Sequence, residues 1–168
     1  GAFGGNREPV FLAMNPMGRV PVLQDGALTL FESQAILRYL ASKAGAEALW
    51  PADPGRRAVV DQWMAWATVN VAPAVIYKVF WQMVRVSAAE RDHAKIAEGA
   101  AELVELMTIA EAQIARGGWL VGDQMTLADI SFGTQLYRYY EVDFERPELP
   151  GLRAYYERLC ARPSYQTH

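Results

Sequence analysis

Glu32-Ser33 is the pair in this chain best placed to do chemistry, because it stands directly before a run of helical periodicity. A helix N-terminus leaves backbone N–H groups without partners, and its dipole favours negative charge. At that position a serine hydroxyl and N–H can hold a carboxylate, while the acid beside it can accept from an ammonium. An anion so placed gains about 0.3–2 kcal/mol. Plain N-capping by Ser33 is compatible with the same reading. Thr126 and Asp129 form a second acid–hydroxyl pattern, three residues apart. Here the threonine hydroxyl can accept from the backbone and the acid can reach back to the threonine N–H, with Met125 and Ile130 at the positions of a hydrophobic staple. That is a structural cap, worth about 0.5–2 kcal/mol. His93 and His168 lack metal-ligand spacing, so no metal is expected. Cys160 reads as a small buried apolar residue.

The elements that would carry these residues change in character near Trp50. Before it, Val20–Gln24 reads as a strand, Asp25-Gly26 as a hairpin turn, Ala27–Phe31 as the returning strand, and Gln34 to about Lys43 as a helix stopped near Gly45. Trp50-Pro-Ala-Asp-Pro-Gly55 reads as a linker. After it, a long helix is expected from about Arg56 to Val86, disturbed at Pro73. Val59, Trp63, Trp66, Asn70, Pro73 and Tyr77 form one stripe on it, which reads first as core or subunit contact. Asn70 is the polar exception and the better candidate for a pocket wall. Ser87-Ala-Ala-Glu90 is a capping-box pattern expected to open the next helix, ending at Gly117-Gly118. Two further helices are expected, from Thr126 to about Tyr140 and from Leu149 to Ala161.

A chain of 168 residues that is 52% hydrophobic and 21% charged can bury a real core. A net charge of −3 with no basic run gives no footprint for nucleic acid. A single cysteine excludes an intramolecular disulfide. No apolar run is long enough for a bilayer, and residues 1–5 do not resemble a signal peptide, so a cytoplasmic protein without membrane partners is expected.

Three blocks together resemble the cytosolic glutathione S-transferase family, in its bacterial type. Asn15-Pro-Met-Gly-Arg-Val-Pro-Val-Leu23, with Asp25-Gly26, Leu30-Phe-Glu-Ser-Gln-Ala-Ile36 and Tyr39-Leu40, is similar to the second half of the glutathione-binding domain. Trp119–Ile130 resembles the capped core helix of the helical domain, and Tyr156–Pro163 its late stretch. The resemblance implies an α/β thioredoxin-like N-terminal domain over residues 1–46, a linker over 47–55 and an all-α helical bundle over 56–168. It implies that the first domain is incomplete here, without its first strand-helix-strand unit.

The resemblance also implies the ligand. Glutathione is an extended tripeptide with two carboxylates, an ammonium and a thiol. Val20-Pro21 matches a cis X-Pro position that exposes the Val20 N–H and C=O for pairing with the cysteinyl backbone. Glu32 and Ser33 match the γ-glutamyl site. Arg19 and Arg7 match positions that reach the ligand backbone and the glycyl carboxylate, although each reads equally well as a solvated surface cation. Trp66, Asn70 and Tyr77 would line an electrophile pocket between the domains. The implied activity is detoxifying conjugation of the glutathione thiolate to a small electrophile by a homodimer. No residue matches the family's thiol activator, so a non-catalytic binding or interaction module stands as the alternative.

Overall fold

The computed structural model describes residues 4–166; His168 lies outside them. The chain divides into two compact units, 1–50 and 51–168.

In the first unit a short 3-10 turn, Gly5–Arg7, leads into α1, Pro9–Met14. α1 lies outside the elements expected from the sequence. Its signals are Pro9 at the first helical turn, where a missing N–H costs nothing, and Asn15-Pro16 beyond its end. A hairpin follows, β1 (Val22–Asp25) and β2 (Leu28–Phe31), antiparallel with Val22 opposite Phe31 and Asp25 opposite Leu28. It is the only sheet among the described residues. β1 starts at Val22 and not at Val20, since Pro21 has no N–H to give a ladder. The two-residue loop is Gly26-Ala27 and not Asp25-Gly26. Gly26 has φ 60 while Ala27 is not left-handed, which is the II′ arrangement with glycine first. The helix α2 then runs Ser33–Lys43 and buries Ile36 and Ala41.

The second unit is helical. One path from Pro54 to Val84 comprises α3 (Pro54–Trp66), two widened π-type stretches (Ala67–Val71 and Pro73–Phe80) and α4 (Trp81–Val84). Pro73 cannot donate to the carbonyl four residues back and its ring crowds that carbonyl. The expected disturbance therefore takes the form of wider turns on both sides of it. Then come α5 (His93–Gly117), α6 (Leu127–Glu141), α7 (Pro150–Cys160) and the short α8 (Pro163–Gln166).

Two expectations fail here. Ser87–Glu90 does not open α5. Its residues 88–90 form a separate 3-10 turn, with the Ser87 hydroxyl bonded to the Glu90 carboxylate, and Asp92 caps α5 by accepting from the Lys95 N–H at 3.0 Å. A serine followed by a glutamate three residues on fits any tight turn, and Asp92 has the short acceptor side chain that an N-cap needs. The aromatic stripe is also not the core of the long helix. Val59, Asn70, Tyr77 and Trp81 are exposed, and Trp63, Trp66 and Pro73 are half-buried. The buried face is the aliphatic one beside it, Val60, Met64, Ala67, Val71, Val75 and Val79. Small side chains let helices approach. Gly99 of α5 comes so near that an added Cβ would lie 2.5 Å from the Lys78 Cβ.

Candidate functional site

The hairpin register builds the candidate site. With Val22 opposite Phe31, the residues one step beyond the ladder are Pro21 on one strand and Glu32 on the other, followed by Val20 and Ser33. Residues eleven and thirteen apart in sequence thus reach the same end of the hairpin. The Val20–Pro21 peptide is cis, and Val20, which lies outside the ladder, is 77% exposed. Glu32 occupies the N-cap position of α2 at φ 71 and makes no side-chain cap bond. Ser33 is therefore the first helical residue and not the N-cap, which corrects the capping reading. A non-glycine residue held at positive φ costs on the order of 1–3 kcal/mol, and such residues concentrate at functional sites. The first helical bond of α2 is the Ile36 N–H to the Glu32 carbonyl at 3.0 Å, so the Ser33 N–H precedes it.

The loop before the strand is tightly anchored. Asn15, only 3% exposed, donates to the Arg19 carbonyl at 2.6 Å and accepts from the Met17 N–H at 3.0 Å. Asn6 donates to the Gly18 carbonyl at 2.5 Å. Arg7 lies against the same turn: a Cβ on Gly18, which has φ +61, would sit 3.0 Å from the Arg7 guanidinium. Arg7 and Arg19 are both exposed, at the loop that leads into Val20. On the other side, the Tyr39 hydroxyl donates to Asp25 at 2.7 Å and Lys43 pairs with the same carboxylate, fastening the hairpin to α2. The Lys43 contact, then the Tyr39 bond, holds Asp25 below the usual carboxylate range. The same bond to Asp25 pushes the Tyr39 hydroxyl up, which disfavours it as a base.

The electrophile-wall candidates lie in the second unit and divide between two environments. Trp66 packs on Trp63 (5.1 Å between ring centroids) and on the core residue Phe132 (5.5 Å). Asn70 is exposed and donates to the Trp66 carbonyl at 3.4 Å, while Tyr77 packs edge-on against Trp81. None of the three lines the cavity of about 630 Å³ beside α6, whose walls include Met125, Ile130, Tyr137 and Arg162.

Comparison with known proteins separates the possible readings of this geometry. A family model described as glutathione S-transferase, N-terminal domain, matches residues 2–42, and one described as the C-terminal domain matches 60–163. The chain belongs to the glutathione S-transferase family. It is 37% identical to glutathione S-transferase GstB of Escherichia coli K12 over 96% of this chain and 78% of that protein. It is 34% identical to glutathione S-transferase 3 of Zea mays, over 97% and 76%. Among solved structures it is similar to the theta class glutathione S-transferase of Xanthomonas axonopodis pv. citri with glutathione bound. That match has 48% identity and a TM-score of 0.92, covering 99% of this chain and 80% of that one. The fold is that of the transferase family: a small thioredoxin-like domain, here with a two-stranded sheet, followed by a helical domain.

In that helical domain Thr126 and Asp129 form a capping box at the start of α6. Asp129 does more than a cap requires. Fully buried, it accepts from the Thr126 N–H (2.7 Å) and hydroxyl (3.1 Å), the Leu120 N–H (3.0 Å) and the Tyr155 hydroxyl (2.8 Å). Burial, then the Asp129 charge, pushes the Tyr155 hydroxyl well up. The cap was readable locally; the Leu120 and Tyr155 contacts need the tertiary fold. The Asn6 and Asn15 anchors also went unread, although the Asn15-Pro16-Met17-Gly18 turn pattern was a signal for them.

Proposed function

We propose that this chain binds glutathione at the open end of the β1–β2 hairpin and that its activity is conjugation of the glutathione thiolate to small electrophiles. The observation that carries this reading is the register that sets the exposed Val20 beside Glu32-Ser33 at the start of α2. In this reading Val20, next to the Pro21 bond, pairs with the cysteinyl backbone. The Ser33 hydroxyl and N–H bind the γ-glutamyl carboxylate, and Glu32 accepts from the ammonium. Arg7 and Arg19 face the remaining carboxylate and the ligand backbone. Trp66, Asn70 and Tyr77 are the proposed electrophile contacts, and the exposed Tyr77 and Trp81 are also candidates for a homodimer contact. The domain assignment 1–46, linker 47–55 and 56–168 is supported by the division of the chain into compact units at Trp50.

Calorimetry with glutathione on the full chain, repeated with Ser33→Ala, tests the site. The substitution is expected to weaken binding about tenfold, the size of one charge-assisted hydrogen bond, with the denaturation midpoint unchanged. Equal affinity of the two proteins would remove Ser33 from the site. Binding without turnover of an aryl halide would identify a glutathione-binding module and not a transferase.

A further inference from the structure

The two asparagines that hold the 15–19 loop come from different elements and grip adjacent carbonyls. Asn6, in the 3-10 turn, donates to Gly18 O, and Asn15, just past α1, donates to Arg19 O. Asn15 also closes the turn from within, since its side-chain oxygen accepts from Met17 and its main-chain oxygen from the Gly18 N–H at 2.9 Å. The peptide units so gripped are those immediately before Val20. We infer that Asn6 and Asn15 are positioning residues of the glutathione site. Neither is a ligand contact; together they clamp the Gly18 and Arg19 carbonyls so that the Arg19 side chain and the Val20 main chain are presented in one orientation before the ligand arrives. This rests on the glutathione reading above and deepens it. The amide group is specifically required. An aspartate of the same shape keeps the acceptor for Met17, but its ionised carboxylate has no proton to give and would face a carbonyl oxygen. Gly18 belongs to the same device: a Cβ on it would lie 3.0–3.2 Å from the Arg7 guanidinium, the Asn6 carbonyl and Leu12, so only glycine leaves them room. Asn6 thus spends its side chain on the loop and leaves ligand contact to its neighbour Arg7. An orientation fixed in advance lowers the ordering cost of binding, so losing it shows as weaker affinity without loss of fold.

The test uses Asn6→Asp, Asn15→Asp and the double variant in the full chain, with two readouts. Calorimetry gives the glutathione Kd, and limited trypsin digestion gives the rate of cleavage after Arg19. Each single variant should raise Kd about tenfold and speed cleavage after Arg19 by a similar factor, while the global unfolding midpoint stays near that of the parent. If the two act as one clamp, the double variant should be little worse than either single one. Kd and cleavage rate both within twofold of the parent would overturn the inference. So would a loss of affinity that only accompanies global unfolding. If Asn15→Asp fails to fold, Asn6→Asp, on a half-buried side chain, decides the matter. If the parent does not bind glutathione, the glutathione reading falls, while unchanged cleavage after Arg19 would separately reject the clamp.

Discussion

The two units solve opposite problems with the same residue types. In the helical unit the acid at position 129 is sealed from water and satisfied by four donors. In the first unit the acid at position 32 is exposed, sits at positive φ and caps nothing. A carboxylate at a helix start can therefore be cement or bait. What separates the two is whether the protein itself supplies the donors. The loop carrying Arg19 and Val20 is intermediate, because its main chain is fixed by one buried and one half-buried amide while the groups it presents stay in water.

The largest effect should follow from breaking the sealed acid. Asp129→Ala would leave Thr126, Leu120 and Tyr155 with unpaired buried donors, at about 3–5 kcal/mol in denaturant unfolding. A loss below 1 kcal/mol would mean that water replaces the carboxylate, and the contrast with Glu32 would collapse. A smaller loss should follow Gly99→Ala. Alanine gains about 1 kcal/mol over glycine within a helix, but a methyl 2.5 Å from the Lys78 Cβ must push α5 off its neighbour. Overpacking of about 1–3 kcal/mol should win, and a stabilised variant would show that the two helices separate freely. The smallest effect concerns the exposed pair. Asp25 has a folded pKa below its unfolded value, so its tie to Lys43 and Tyr39 is intact at neutral pH and is lost as pH falls through that lowered value. Protection of the β1 and β2 amides, taken relative to the intrinsic exchange rate at each pH, should therefore fall in acid, below about pH 4, while Asp25→Asn should show the low protection at every pH.

Much of this was legible in the sequence because its causes are local. The apolar alternation and glycine turn of the hairpin, the start of α2 and the Thr126–Asp129 box each depend on residues a few positions apart. What stayed illegible depends on distance. The partner of the α7 N-terminus is an example, although the helix itself lies where the sequence places it, Pro150–Cys160. Leu149 provides no side-chain cap, and the carboxylate of Glu111, forty residues away on α5, accepts from the Gly151 N–H at 3.0 Å and from Leu152. The aromatic stripe of the long helix misled for a related reason. Aromatic rings at helical spacing mark a face, but the neighbouring face of small aliphatics permits closer approach, and that face is the one buried. Asn15 was read only as part of a motif, since its role comes from bonds to both sides of a turn whose shape it helps to set.

The two-residue loop at Gly26-Ala27 has a consequence for how this region tolerates change in length. The two halves of the candidate site lie on opposite strands, and the loop counts out their alignment. One residue inserted or deleted in either strand between the loop and the site would slide Val20 past Ser33 by about 3.4 Å and turn each displaced side chain to the other face of the hairpin. A ligand that bridges both strands would meet only half its partners. The strands of this hairpin should therefore accept substitution far more readily than insertion or deletion, even at positions that touch nothing.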